Sequence, residues 1–152
     1  MSQSKSVFVG GDHAGFETKK TVLAFLAQEF PQLKVEDCGT HSEQSTHYPL
    51  HAETVAKKVA ASGGLGVLIC GSGIGVSIAA NKVAGIRSTV VWNSTSARLA
   101  REHNDANIVC LGARLLGPEV IFDCLRAFFT AQFQNGRHAE RVELIRKMEQ
   151  ND

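Results

Sequence analysis

The sequence predicts a three-layer α/β domain with a five-stranded, mostly parallel sheet and an extra C-terminal helix. Three observations carry this. Short apolar runs recur at Val7–Val9, Val67–Cys70, Thr89–Trp92 and Ile108–Leu111 without polar alternation, the pattern of strands covered on both faces. Stretches with helical spacing separate them. The connections are short, and strands alternating with helices over short connections build βαβ units and so a parallel sheet.

The elements follow in order. After Val7–Val9, the residues Phe16, Leu23, Leu26 and Phe30 recur at steps of seven, three and four, one apolar stripe of a helix. Lys34–Cys38 is a weaker fifth strand candidate. The segment from Gly39 to Tyr48 is polar and holds two histidines, and irregular segments of that length are more often functional than incidental. Pro49 begins an Ala-rich helix reaching about Ser62, and Gly63-Gly64 ends it. The spacing then predicts helices from Ile74 to about Val83, from Asn93 or Ser94 to about Asn104, and from Pro118 to about Phe133. A last one, Arg137 to Gln150, lies beyond the sheet. With no repeat and no linker, residues 1–152 read as one domain.

Composition narrows the function classes. A chain of 152 residues hides roughly 68–70 % of its unfolded surface on folding, so it needs no staples. Its 43 % hydrophobic and 20 % charged residues exclude a disordered chain. A net charge of +1 gives no field for non-specific nucleic-acid binding. No apolar run approaches the ~20 residues of a membrane span, and the first residues carry no signal-like apolar segment. Cys38, Cys70, Cys110 and Cys124 form no CxxC pair and no metal-ligand spacing, which reads as reduced cysteines in a cytoplasmic protein.

Ligands of open parallel sheets bind beyond the carboxyl ends of strands, and two such ends are glycine-rich: Gly10–Gly15 and Cys70–Gly75. In the second, Gly71, Gly73 and Gly75 strip side chains from a turn that opens a helix, presenting backbone N–H groups to an anion or an oxyanion. The loop reads GxGxG without the later acid of a dinucleotide site, and GK[ST] is absent, so nucleotide binding is rejected. Cys70 precedes these donors. It is either a small buried hydrophobe, as expected of Cys110 and Cys124, or a thiol made partly thiolate by the helix terminus.

Two histidines have positions of note. His13 follows Asp12 at the first glycine loop, as donor to a substrate oxygen or as a capping residue. His103 projects with Ser96, Leu99 and Ala100, away from Arg98, Arg101 and Glu102, so it points inward or to a neighbour. On the last helix, Arg137, His138 and Arg141 fall on the apolar side with Val142, Leu144, Ile145 and Met148. Two desolvated guanidinium groups at i and i+4 need an anion, either phosphate or carboxylates elsewhere in the chain.

Taken together, Gly11–Gly15, Tyr48-Pro49, Cys70–Gly75, Ala79–Lys82, Gly85–Arg87, His103–Asn107 and Gly136–His138 resemble the ribose-5-phosphate isomerase B family, which includes galactose-6-phosphate isomerase subunits. The resemblance runs from Val7 to Met148. It implies a Rossmann-like fold, a homodimer or dimer of dimers with active sites shared between subunits, a phosphosugar substrate, and neither metal nor other cofactor. It further implies Cys70 as the base moving a proton between C1 and C2, Ser72 as its support, and His103 as the acid opening the furanose ring. Gly71, Ser72, Gly73, Ile74 and Gly75 would hold the enediolate oxygen. Asp12, His13 and Asn104 would bind sugar oxygens, with Tyr48 lining the site. Arg114, Arg137 and Arg141, with His138 nearby, would surround the phosphate. A glutamate used by one branch of the family is replaced here by Val76, which puts the chain in the cysteine branch. The expected reaction is reversible isomerisation of D-ribose 5-phosphate to D-ribulose 5-phosphate; a six-carbon phosphosugar such as allose or galactose 6-phosphate, or a non-catalytic sugar-phosphate sensor, are the alternatives.

Overall fold

The computed structural model describes residues 4–150. Five strands, β1 (Ser6–Gly11), β2 (Lys34–Asp37), β3 (Leu65–Cys70), β4 (Ser88–Val90) and β5 (Ile108–Gly112), form one sheet in the order β2-β1-β3-β5-β4. All four pairings are parallel, where the sequence predicted a mostly parallel sheet. Six helices connect and flank them: α1 (Phe16–Glu29), α2 (Tyr48–Ser62), α3 (Ile74–Ala80), α4 (Ser94–Asn104), α5 (Pro118–Thr130) and α6 (Arg137–Met148). Among the described residues, no helix is long and apolar enough to cross a membrane.

The continuous apolar runs behave as strands buried on both faces because successive side chains point to opposite sides. Val7, Val9, Val67, Ile69, Val109 and Leu111 pack against α1, α4 and α5 through residues such as Val22, Leu26, Ala97, Leu125 and Phe128. Phe8, Leu68, Cys70, Ile108 and Cys110 face α2 and α3, meeting Val55, Val59, Val76 and Ala80. These two cores make the three layers.

Four expectations are corrected, the first being α5, which ends at Thr130 instead of about Phe133 because Ala131 turns to extended backbone, ψ 151°. The fourth strand ends at Val90 because Trp92 is 54 % exposed and the chain turns there into the cap of α4, where Asn93 and Ser96 exchange bonds. The third helix stops at Ala80, where the Asn81 side chain leaves the helical pattern to bond the Ser88 backbone in both directions. Arg101, projected outward, is 8 % exposed: its guanidinium donates to the Ala106 carbonyl at 2.6 Å and Asp105 Oδ1 at 3.0 Å, so an interior position leaves it paired.

This topology sets two distinct edges. Following β1, the chain crosses to β2 on one side and then to β3 on the other, so strand order reverses between β1 and β3. Their carboxyl ends are the two glycine loops. At the opposite edge, the Gly66 amide bonds Asn107 O at 2.8 Å and the Asn107 amide bonds Arg87 O at 3.0 Å, tying the amino ends of β3, β4 and β5 to the end of α4.

Candidate active site

At the carboxyl edge, the first loop is built on Asp12, which is 6 % exposed. Its Oδ1 accepts the amides of Ala14 at 3.0 Å and Gly15 at 3.2 Å, capping a single 3-10 turn at His13–Gly15 that leads into α1. Beyond β2, the backbone of Gly39 and Thr40 pairs with Gly11 on both sides, and the Thr46 amide donates to His13 Nδ1 at 3.2 Å. The long polar segment therefore folds back over the first loop and delivers Tyr48 beside the second.

The second loop is shaped by contacts that exclude side chains. Gly73 has φ +79° and a Cβ there would lie 3.0 Å from the Leu111 carbonyl carbon. A Cβ on Gly75 would meet the Tyr48 ring at 2.6 Å, so Tyr48 lies directly against the start of α3. Arg114, just past β5 and exposed, sits over Gly71, where a Cβ would come within 3.1 Å of its Nη1.

Cys70 is 5 % exposed at the end of β3, and its Sγ accepts the Gly73 amide at 3.2 Å. The Ile74 amide goes to Ser72 Oγ at 3.2 Å. Two of the backbone donors expected for a ligand thus serve the loop itself. The other cysteines differ in setting. Cys110 and Cys124 are wholly enclosed; burial pushes the Cys110 thiol far up, and burial, then Asp123, pushes Cys124 to about 11. Cys38 is half-buried, its thiol raised by burial and then by Glu36.

The remaining expected residues gather elsewhere. His103 and Asn104 close α4, and His138 opens α6 with its ring stacked on His103, centroids 4.3 Å apart and 9° between planes. Burial, followed by the charges of His103, Arg137 and Arg141, holds His138 below its ordinary 6.5. Arg137 and Arg141 are exposed, not desolvated as projected, and among the described residues neither makes an ion pair. The apolar side of α6 is likewise open, with Leu144 58 %, Ile145 40 % and Met148 69 % exposed.

One chain does not bring these two groups together. Cys70, Ser72, Asp12, His13, Tyr48 and Arg114 lie at the carboxyl edge; His103, Asn104, Arg137, His138 and Arg141 lie at the amino edge, beyond the whole length of β3, roughly 16 Å. In particular, Arg114 shares no focus with Arg137 and Arg141 within the chain.

A family model described as Ribose/Galactose Isomerase matches residues 7–145. The chain belongs to the ribose/galactose isomerase family. It is similar to ribose-5-phosphate isomerase B of Escherichia coli (strain K12), 44 % identical over 149 residues that cover 96 % of this chain and 97 % of that one. The solved Clostridium thermocellum ribose-5-phosphate isomerase B superposes with a TM-score of 0.92 at 43 % identity, covering 95 % of this chain and 97 % of its own. The Mycoplasma genitalium ribose-5-phosphate isomerase B, solved with bound ribulose-5-phosphate, gives 0.94 at 35 % identity, with 99 % and 100 % covered. The ribose/galactose isomerase fold of these relatives is the Rossmann-like arrangement described above.

The sequence assigned no role to several residues that support the site. Lys19, 2 % exposed, bonds Asp37 Oδ1 at 2.6 Å, and Asp37 also accepts the Gly39 amide at 2.9 Å. Burial pushes the Asp37 carboxyl up, but the Lys19 and Gly39 donors outweigh it and hold the group below its ordinary value. A signal was present: Lys19 fills the gap between Phe16 and Leu23 in the apolar stripe. At the other edge, Arg87 bonds the carbonyls of Asn104 and Asp105, and Asn107 ties Arg87 to Gly85, which fixes the end of α4 beneath His103. Among the described residues, no cluster of His, Cys, Asp and Glu could hold a metal ion.

Proposed function

We propose that this protein is a ribose-5-phosphate isomerase of the B type, interconverting D-ribose 5-phosphate and D-ribulose 5-phosphate in active sites shared by two subunits. The observation that carries this reading is the division of one catalytic set between two edges of the same chain. A sulfur with a glycine turn stands at one, and at the other an imidazole with two exposed guanidinium groups that make no ion pair among the described residues. Antiparallel apposition of two copies sets each edge against its complement, and the exposed apolar side of α6 supports such a contact.

In this reading His103 opens the furanose by moving a proton between the ring and anomeric oxygens. Asp12, His13 and Asn104 bind sugar hydroxyls, and Tyr48 walls the site. The Cys70 thiolate takes the proton from C2 of the aldose, and the electron pair of that C–H bond forms the C1–C2 double bond of the enediolate. The same thiol returns the proton to C1 while a proton passes from O2 to O1. Ser72 supports the sulfur, and amides of the Gly71–Gly75 turn other than those of Gly73 and Ile74 face the enediolate oxygen; a preorganised donor of this kind contributes about 2.7–4 kcal/mol. Arg114 from one subunit and Arg137 and Arg141, beside His138, from the other hold the phosphate, and that remote binding orients the reacting carbons.

Turnover of ribose 5-phosphate without added metal, compared with allose and galactose 6-phosphates, tests the assignment. Cys70→Ala abolishes turnover while phosphosugar affinity stays within a few-fold, whereas Arg137→Ala acts mainly on KM. Near-normal turnover by Cys70→Ala overturns the mechanism, and tight binding without conversion by the native chain overturns the enzyme.

A further inference from the structure

Thr46 and His51 belong to neither group of residues in the proposed mechanism, yet they form a continuous hydrogen-bonded path into it. The Thr46 hydroxyl lies 3.1 Å from His51 Nε2 in the first turn of α2, and the Thr46 amide donates to His13 Nδ1 at 3.2 Å. A backbone N–H can only donate. The His13 nitrogen facing it must therefore be the bare one, and in the neutral ring the proton resides on Nε2. Thr46 is held from both ends: by His13 through its backbone and by His51 through its side chain.

We propose that His51, acting through Thr46, is a positioning residue that locks His13 as its Nε2–H tautomer, so that this ring meets the phosphosugar as a hydrogen-bond donor. The assignment of His13 to the substrate rests on the isomerase reading; the tautomer does not. Without the anchor at His51, Thr46 keeps its amide but loses the side-chain bond that aims it. His13 then samples both neutral tautomers and, in part of the population, turns a lone pair toward a sugar oxygen. Burial, outweighing Asp12, holds His51 below its ordinary 6.5, which favours the neutral ring, and Nε2 lies within hydrogen-bond reach of the Thr46 hydroxyl.

The test uses the full chain labelled with 15N at histidine, with two-bond 1H–15N spectra recorded at alkaline pH. Native protein is expected to show His13 in the Nε2–H pattern. Thr46→Val, which deletes the hydroxyl but keeps size and amide, and His51→Phe should both shift His13 toward a mixture. Both should raise KM for ribose 5-phosphate about three- to ten-fold with kcat little changed. His51→Gln and Thr46→Ser, which keep a polar atom in reach, should restore pattern and KM, and circular dichroism identifies any variant that misfolds. A native His13 with its proton on Nδ1 overturns the proposal. So does a native-like tautomer and KM in Thr46→Val. If the tautomer responds as expected but the native chain neither binds nor converts ribose 5-phosphate, the relay stands and the isomerase reading falls.

Discussion

The imidazole rings of His103 and His138 lie face to face, their centroids 4.3 Å apart and their planes within 9°. His103 raises the electrostatic cost of charging His138, and Arg137 and Arg141 add to it. Burial comes first among the causes that hold His138 below 6.5.

The sign of the pH effect follows. Between the folded value and 6.5, the unfolded chain binds a proton at His138 that the folded chain refuses. The group's contribution to stability is complete above 6.5 and is lost as pH falls below it. Melting temperature of the native protein should therefore drop more steeply from about pH 7.5 to 5.5 than that of His138→Phe, which stacks but takes no proton. Parallel slopes would remove His138 from the account.

Shared sites predict complementation. Cys70→Ala chains and Arg137→Ala/Arg141→Ala chains, each inactive alone at dilute substrate, should regain activity when unfolded together and refolded. In a mixed pair, one site collects both defects and the other none. A random mixture then recovers about one quarter of native turnover. No recovery, despite proven exchange of subunits, would place the whole site within one chain.

Alkylation separates the thiols. Iodoacetamide should modify Cys70 well before Cys110 and Cys124, which are enclosed and held protonated, and bound phosphosugar should slow it. Half-buried Cys38 lies beyond β2 and should also react, but at a rate that phosphosugar leaves unchanged. Peptide mass mapping over time reads all four; equal protection of Cys38 and Cys70 would count against a ligand at the sulfur.

Two glycines should respond in opposite ways. A Cβ on Gly11 meets the Ile69 carbonyl oxygen at 2.5 Å, backbone that cannot yield, so Gly11→Ala should cost about 3 kcal/mol. A Cβ on Gly75 meets only the Tyr48 ring, which is 40 % exposed and can swing out. There the helix gains from alanine, stability should stay within about 1 kcal/mol, and the damage should appear in KM. Urea melts and steady-state kinetics on the two variants check the contrast.

The fold was largely legible because apolar runs and helical stripes report burial directly. What failed were places where a side chain found a polar partner that periodicity cannot see. Arg101 was projected outward, yet the turn at Asp105 and the Ala106 carbonyl gave it an interior berth. Trp92 has the apolar character of strand, but its ring stays 54 % exposed where the chain turns into the cap of α4. In the site, Asp12, Cys70 and the glycines could be placed because they end strands. That Arg137 and Arg141 sit across the sheet from Cys70 depends on which way each element runs, information that the i, i+4 spacing on one helix does not hold. Thr46 lies in a segment marked by its length and polarity, but its pairing with His51 and His13 is not legible, since a backbone amide aimed at a ring nitrogen has no sequence signature.

The two-edged layout has a practical consequence for anyone seeking to switch this chemistry off. In the proposed shared site, a solitary polypeptide has a base without an anion clamp and a clamp without a base, so dilution alone should silence it. A compound that wedges onto the open flank of α6 and keeps neighbours apart would inhibit without ever competing with sugar.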